Sequence, residues 1–104
     1  PDLIDQVVIN LLLNAIDAVK DAEHPQIKII AYSGNSGRII IDFIDNGTGI
    51  KPDIMDKIFM PFFTSKKHGS GIGLSLSRQI MHLHKGSITV KSKQGQGTVF
   101  TLMF

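Results

Sequence analysis

The run Ile39-Ile40-Ile41-Asp42-Phe43-Ile44-Asp45-Asn46-Gly47-Thr48-Gly49-Ile50 begins as a β-strand and ends as a glycine turn. With a side-chain period of two, Ile39, Ile41, Phe43 and Asp45 share one face. An otherwise apolar row therefore ends in a carboxylate. The Asn-Gly-Thr-Gly turn behind it is common chemistry, but an ionised carboxylate on a core-facing row must find hydrogen-bond donors. Working outward, residues 27–33 read as a preceding strand, joined to a strand over 38–45 by the hairpin loop Gly34-Asn35-Ser36-Gly37. Residues 87–92 and 98–104 read as a closing strand pair around Lys93-Gln94-Gly95-Gln96-Gly97. Helical patterns occupy 3–21, with Asp2 as N-cap, and a span from the glycines 71 and 73 to about His84, stopped at Lys85-Gly86. A short helix is expected from Pro52 to Ile58. This order predicts an α+β two-layer sandwich, its helices on one face of a mixed, mostly antiparallel sheet.

The chain has 104 residues, a net charge of +2, ten glycines and no cysteine, enough for one domain over 1–104 and too short for two. The lack of cysteine excludes disulfides, thiol catalysis and Cys-ligated zinc. No apolar run is long enough to span a membrane, and nothing at the start has the form of a signal peptide. Lys and Arg are scattered without aromatic interleaving, so no nucleic-acid surface is expected. The first helical pattern begins at once after Pro1, and the last strand pattern is still running at Phe104. A domain cut from a longer protein is the expectation.

On the first helix, Ile4, Val8, Leu12, Ala15, Ile16 and Val19 fall on one broad face at 100° per residue, and Leu11 and Leu13 widen it. The other side carries a narrow stripe of Gln6, Asn10, Asn14 and Asp17. Asn is an indifferent helix former, so Asn10 and Asn14 one turn apart call for a reason. They are either a polar pair, hydrogen-bonded within the core or exposed at a rim, or neutral oxygen ligands for Mg²⁺, which keeps waters and takes its other ligands from phosphates. Gly69-Ser70-Gly71-Ile72-Gly73-Leu74 opens the second helix, and bare amides at a glycine-rich helix N-terminus suit phosphate. The spacing is not the dinucleotide fingerprint, and no Walker A sequence or protein-kinase motif set is present. Lys66, beside this loop, is a candidate phosphate contact. Phe59, Phe62 and Phe63 read as core or as the hinge of a loop. The histidines 24, 68, 82 and 84 lack the acidic partners of a metal site, and no catalytic triad or carboxylate pair can be assembled.

Taken together and in order, these segments resemble the catalytic ATP-binding domain of bacterial sensor histidine kinases, of the superfamily shared with DNA gyrase, the mismatch-repair ATPase and the Hsp90 chaperones. Residues 5–15, Asp5-Gln6-Val7-Val8-Ile9-Asn10-Leu11-Leu12-Leu13-Asn14-Ala15, are similar to that family's N box. Asp45-Asn46-Gly47-Thr48-Gly49-Ile50 resembles its first glycine box, Phe59-Met60-Pro61-Phe62-Phe63 its F box, and Gly69 to Leu74 its second glycine box. Gly95-Gln96-Gly97-Thr98-Val99-Phe100 resembles the closing Gly-x-Gly-Thr-x-Phe strand.

The resemblance implies a Bergerat-type fold and an ATP site. Asn14 would be the principal Mg²⁺ ligand, with Asn10 assisting. Asp45 would accept the adenine amine; Gly47, Gly49 and Ile50 would form the base pocket, supported by Thr98. The amides of Ser70, Gly71, Ile72, Gly73 and Leu74 would meet the phosphates, with Lys66 reaching them from a lid over 64–68. Many members have Lys where this chain has Asp17, which points Asp17 to a ribose hydroxyl or a water instead. In the gyrase and chaperone branches the position of Asn10 holds a glutamate that activates water. Asn cannot act as that base, which favours phosphotransfer over hydrolysis. The implied reaction passes the γ-phosphoryl of ATP to a histidine on a separate dimerisation domain, and then to a response regulator receiver domain. A monomeric fragment of a homodimeric parent is implied, placed in the cytoplasm, with any inner-membrane anchor in segments outside this chain. A serine/threonine kinase of the anti-sigma-factor type and a regulatory ATP-binding module share the same boxes and stand as alternatives.

Overall fold

The computed structural model describes residues 2–60 and 73–104. In chain order these form α1 (Asp2–Val19), β1 (Ile27–Ser33), β2 (Ile39–Asp45), α2 (Gly73–Leu83), β3 (Ser87–Lys93) and β4 (Gly97–Met103), with 3-10 turns at Asn35–Gly37 and Met55–Lys57. The strands build one sheet in the order β1-β2-β4-β3, and each neighbouring pair is antiparallel. The architecture is the expected α+β sandwich. The mixed sheet is corrected to an antiparallel one among the described residues, and the short helix over 52–58 to a single 3-10 turn.

The register sorts the inner face of the sheet into rows. Ala31, Ile41, Leu102 and Ile88 lie side by side, and next to them Ile29, Phe43, Phe100 and Val90. Val7 and Leu11 of α1 and Ile80 and Met81 of α2 close over these rows, so α1 and α2 form the second layer. Leu11, Ile80, Met81 and Leu102 are almost wholly removed from water. Each such side chain contributes roughly 1.5–3 kcal/mol of hydrophobic stabilisation. Phe59 meets Phe100 edge to face, with ring centroids 6.4 Å apart, and the Arg78 guanidinium lies 5.4 Å from the Phe59 centroid. Phe59 is thus core-lining, while Phe62 and Phe63 lie outside the described residues.

The buried line of α1 is Val7, Leu11, Ala15 and Val19, with Ile4, Val8 and Leu12 partly buried beside it. Ile16, placed on the apolar face by the sequence, is instead 54% exposed, in company with Ile9 and Leu13. Apolar side chains cover most of this helix, so hydrophobicity alone does not choose the line that faces the sheet. The observed rotation is the one that brings Asn10 against Gly73 and Ser77 of α2. The helix begins at Asp2, which is therefore helical rather than a cap, and ends at Val19, two residues before the expected stop.

The end of α2 has its own logic. Gly86 N–H donates to Met81 O at 2.8 Å and Lys85 N–H to His82 O at 3.0 Å, the paired bonds of a Schellman stop. Lys85, not the glycine, adopts the left-handed conformation (φ 59°). Gly86 is required for space, since a Cβ there would stand 2.3 Å from Met103 O.

Candidate nucleotide site

The third inner row of the sheet breaks the apolar pattern: Ile27, Asp45, Thr98 and Ser92 lie side by side across all four strands. Asp45 is 7% exposed and Thr98 6%. Asp45 Oδ1 accepts the Gly47 N–H at 2.9 Å, and the main-chain N–H of Thr98 also donates to this carboxylate. Burial pushes its pKa above the ordinary 3.8, and these two bonds pull against that shift without cancelling it. The acid is held in place, and no cation among the described residues pairs with it.

Ser92 organises the rest of the row. Its Oγ accepts the Ile50 N–H at 2.8 Å, donates to Gly97 O at 2.8 Å and lies 2.9 Å from Thr98 Oγ1. Gly95 N–H donates to Thr48 O at 2.7 Å. The β3–β4 turn is thereby clipped to the 46–50 loop. Two glycines make the closeness possible. A Cβ on Gly47 would lie 2.4 Å from Ala18 O, and one on Gly49, whose φ is +74°, would lie 2.4 Å from Lys93 O. Glycine at both positions lets the loop run between the end of α1 and the β3–β4 turn. Asn46 ties down the other flank, accepting the Gln26 N–H and donating to His24 O, each at 2.8 Å.

Asn10, on the polar stripe of α1, meets the start of α2. Asn10 Nδ2 lies 3.4 Å from Gly73 O and 3.3 Å from Ser77 Oγ, and Asn10 and Asn14 are both partly buried. Asp17, one turn on, pairs with Lys20 Nζ at 3.3 Å, a surface pair of small energetic weight. Leu74 packs against the core. Lys66, Ser70, Gly71 and Ile72, and the lid over 64–68, lie outside the described residues.

The sequence-predicted residues within the described part thus fall into two groups. Asp45, Gly47, Gly49, Ile50 and Thr98 gather at the end of the inner sheet face. Asn10 meets Gly73 and Ser77 of α2, and Asn14 is half-buried one turn further along α1. Sequence reading missed Ser92 and Ser77. Both carried the signal that exposed Asp45, a polar residue on an apolar line: Ser92 follows Ile88 and Val90, and Ser77 sits one turn before Ile80 and Met81.

The residues suit a hard cation held chiefly by phosphates and water. Among the described residues no three His, Cys, Asp or Glu side chains lie together as a metal cage. What α1 offers is neutral amide oxygen, which does not repel a polyphosphate. The same residues contain no helix long and apolar enough to cross a membrane.

The described residues thus form an antiparallel sheet covered on one side by two helices, with a buried acid at its end and Asn10 of α1 against the start of α2. The chain matches the family model of histidine kinase-, DNA gyrase B- and HSP90-like ATPases over residues 1–104 and belongs to that family. Within it the chain is similar to the catalytic domains of sensor histidine kinases. It is 43% identical over 102 residues to the sensor histidine kinase ZraS of Salmonella typhimurium, covering 98% of this chain and 22% of that protein. It is 42% identical to the signal transduction histidine-protein kinase AtoS of Escherichia coli, over 98% of this chain and 16% of that one. The fold matches the catalytic domain of histidine kinase ThkA with a TM-score of 0.82 at 35% identity, over 98% of this chain and 65% of that structure. Full-length ShkA in complex with AMPPNP matches with a TM-score of 0.79 at 28% identity, over 97% of this chain and 21% of that one. The chain spans about a fifth or less of the sensor kinases it resembles.

Proposed function

We propose that this domain binds Mg²⁺–ATP and supplies its γ-phosphoryl group to a histidine on a separate helical-hairpin domain of the same parent protein. The observation that carries the reading is the Asp45–Thr98–Ser92 row, a buried polar end to an otherwise apolar sheet face. Asp45 accepts from the exocyclic amine of adenine, while Gly47 and Gly49 let the flat base approach the backbone. The phosphates lie toward the N-terminus of α2, where amides and the helix dipole favour anions. Lys66 and the amides of 70–74 belong to the same assignment. Asn14 and Asn10 hold the cation, which when bound neutralises phosphate charge. The chain's own contribution is positioning and electrostatics, the main terms in phosphoryl transfer. The bond from Pγ to the β–γ bridging oxygen breaks, a bond from Pγ to an imidazole nitrogen forms, and ADP leaves.

Placement in a longer parent, homodimeric and acting on a response regulator, belongs to this proposal. The sensor histidine kinases among its relatives favour it over a serine/threonine kinase. The decisive experiment uses the chain's own histidines. His82 lies nine residues from Gly73 on α2, about 13 Å at 1.5 Å per residue, and His84 lies further on, its Nδ1 2.9 Å from Ile80 O. Transfer needs reacting atoms about 3–3.5 Å apart, so neither reaches a phosphate at the start of the helix. The His24 main chain is tied to Asn46, at the adenine end. His68 has no acidic residue between positions 64 and 72 to orient its ring. Incubated with radiolabelled ATP, the chain alone should stay unlabelled, and acid-labile phosphate should appear on an added hairpin domain from a sensor kinase closely related to the parent. Acid-labile label on the chain itself would overturn the assignment.

A further inference from the structure

We infer that Ser77 is a positioning residue that sets which atom of Asn10 faces the cation, an inference that rests on the Mg²⁺–ATP reading above. Ser77 is wholly buried between the helices and donates its hydroxyl proton back to Gly73 O, one turn earlier, at 2.8 Å. Such back-bonding is common for Ser in helices and alone would mean nothing. The second observation is across the interface, where the Asn10 amide meets both members of that bond: Nδ2 lies 3.3 Å from Ser77 Oγ and 3.4 Å from Gly73 O.

The donor arithmetic favours one arrangement, the one that keeps the Ser77–Gly73 bond. Gly73 O is an acceptor only. The Ser77 proton is already spent on that carbonyl, so Ser77 Oγ presents lone pairs to Asn10. Both partners therefore require the amide nitrogen. The flipped amide would set Oδ1 against a carbonyl oxygen and a hydroxyl lone pair, acceptor against acceptor. The contacts are long and individually weak, but both vote for the same orientation, which engages Nδ2 and leaves Oδ1 unused by these bonds. Oδ1 is the atom that a hard cation, or a water on it, requires. With Gly73 at the first turn of α2, the same contacts hold this oxygen beside the proposed phosphate end of the site.

The test compares wild-type chain with Ser77→Ala and Ser77→Cys, the second filling the same space with a poor hydrogen-bond partner. Titration calorimetry with ADP and with a non-hydrolysable ATP analogue, in chelator and in Mg²⁺, separates nucleotide affinity from the gain that the metal adds. The side-chain amide signals of Asn10 in the nucleotide-free chain report the orientation without any ligand. We expect both variants to keep the metal-free affinity, to lose about tenfold of the Mg²⁺-dependent gain, and to shift and broaden the Asn10 amide signals. Ala is the better helix former, so a purely structural role predicts no such split. A full Mg²⁺ gain in the variants, or an equal loss with and without metal, would overturn the positioning role while leaving the Mg²⁺–ATP reading intact. A wild-type chain that binds nucleotide no better with Mg²⁺ would remove that reading and this inference together.

Discussion

Replacing Asp45 by Asn tests the base pocket with almost no change of shape. In the wild type the carboxylate is 7% exposed, accepts main-chain N–H groups from Gly47 and Thr98, and keeps acceptor capacity for an adenine amine. In the variant one oxygen becomes an NH₂ group. If the remaining oxygen keeps the Gly47 N–H, the nitrogen faces the ligand, and two donors meet where a donor met a charged acceptor. A hydrogen bond to a charged group contributes roughly 1.5–3 kcal/mol, so affinity for ADP should fall by about 13- to 160-fold. Folding should respond differently. Burial already raises the pKa of this acid, so its ionised form is disfavoured in the folded chain, and removing the charge should not lower the unfolding midpoint. Calorimetry gives the affinity and thermal unfolding gives the stability. Guanine, with a carbonyl where adenine has its amine, should bind poorly to the wild type. Equal ATP and GTP affinity in the wild type, or undiminished ADP affinity in a folded Asp45→Asn chain, would refute the base-recognition role.

Asn14→Ala should bind metal-free ADP as the wild type does but lose most of the strengthening by Mg²⁺; an unchanged Mg²⁺ effect in calorimetry would remove Asn14 from the metal site. Gly49→Ala should destabilise the fold by at least about 1–3 kcal/mol in urea unfolding, because its φ is +74° and the new Cβ would stand 2.4 Å from Lys93 O. The raised pKa of Asp45 also fixes the sign of a pH effect. Between 3.8 and the higher folded value the folded chain binds more protons than the unfolded one, so this group's contribution makes the nucleotide-free chain more stable as pH falls through the folded pKa. Subtracting the Asp45→Asn pH profile from the wild-type profile should isolate that trend, and ADP binding should weaken over the same range.

The strands were legible as short runs rich in Ile, Val and Phe bounded by glycine turns. The observed bounds of β1 coincide with 27–33, and the polar end of the β2 row was visible as Asp45 before any register was known. What the sequence lacked was the neighbour relation. Ser92 is two residues from a turn and unremarkable by itself, and only the β3–β4 register places it beside Thr98 and so next to Asp45. The rotation of α1 failed for a related reason. Ile9, Leu13 and Ile16 are as hydrophobic as the residues that are buried, so the apolar pattern was nearly symmetric about the axis. The deciding information was polar and long-range, Asn10 against Gly73 and Ser77, some 63 and 67 positions away. The end of α2 shows a subtler limit. The Lys85-Gly86 stop was recognised, yet the left-handed residue is Lys85, because crowding by Met103 O reserves the second position for glycine.

The Asn10 environment also bears on the proposed reaction, transfer rather than hydrolysis. A base for water activation must be an acceptor at the moment it takes the proton, and an amide has neither the charge nor the basicity. Simply exchanging Asn10 for an acid would not supply one in good order. The side chain is held by Gly73 O and Ser77 Oγ, and Ser77 has already given its proton to the Gly73 carbonyl. A carboxylate in the same rotamer would bring a negative oxygen against those two acceptors, at a half-buried position. It would have to turn away, protonate, or force Ser77 to redirect its hydroxyl. The α2 surface is therefore matched to an amide donor at this position. If the domain transfers phosphoryl groups as proposed, the α1–α2 packing around Asn10 disfavours a base for water at this position, in addition to the identity of the side chain itself.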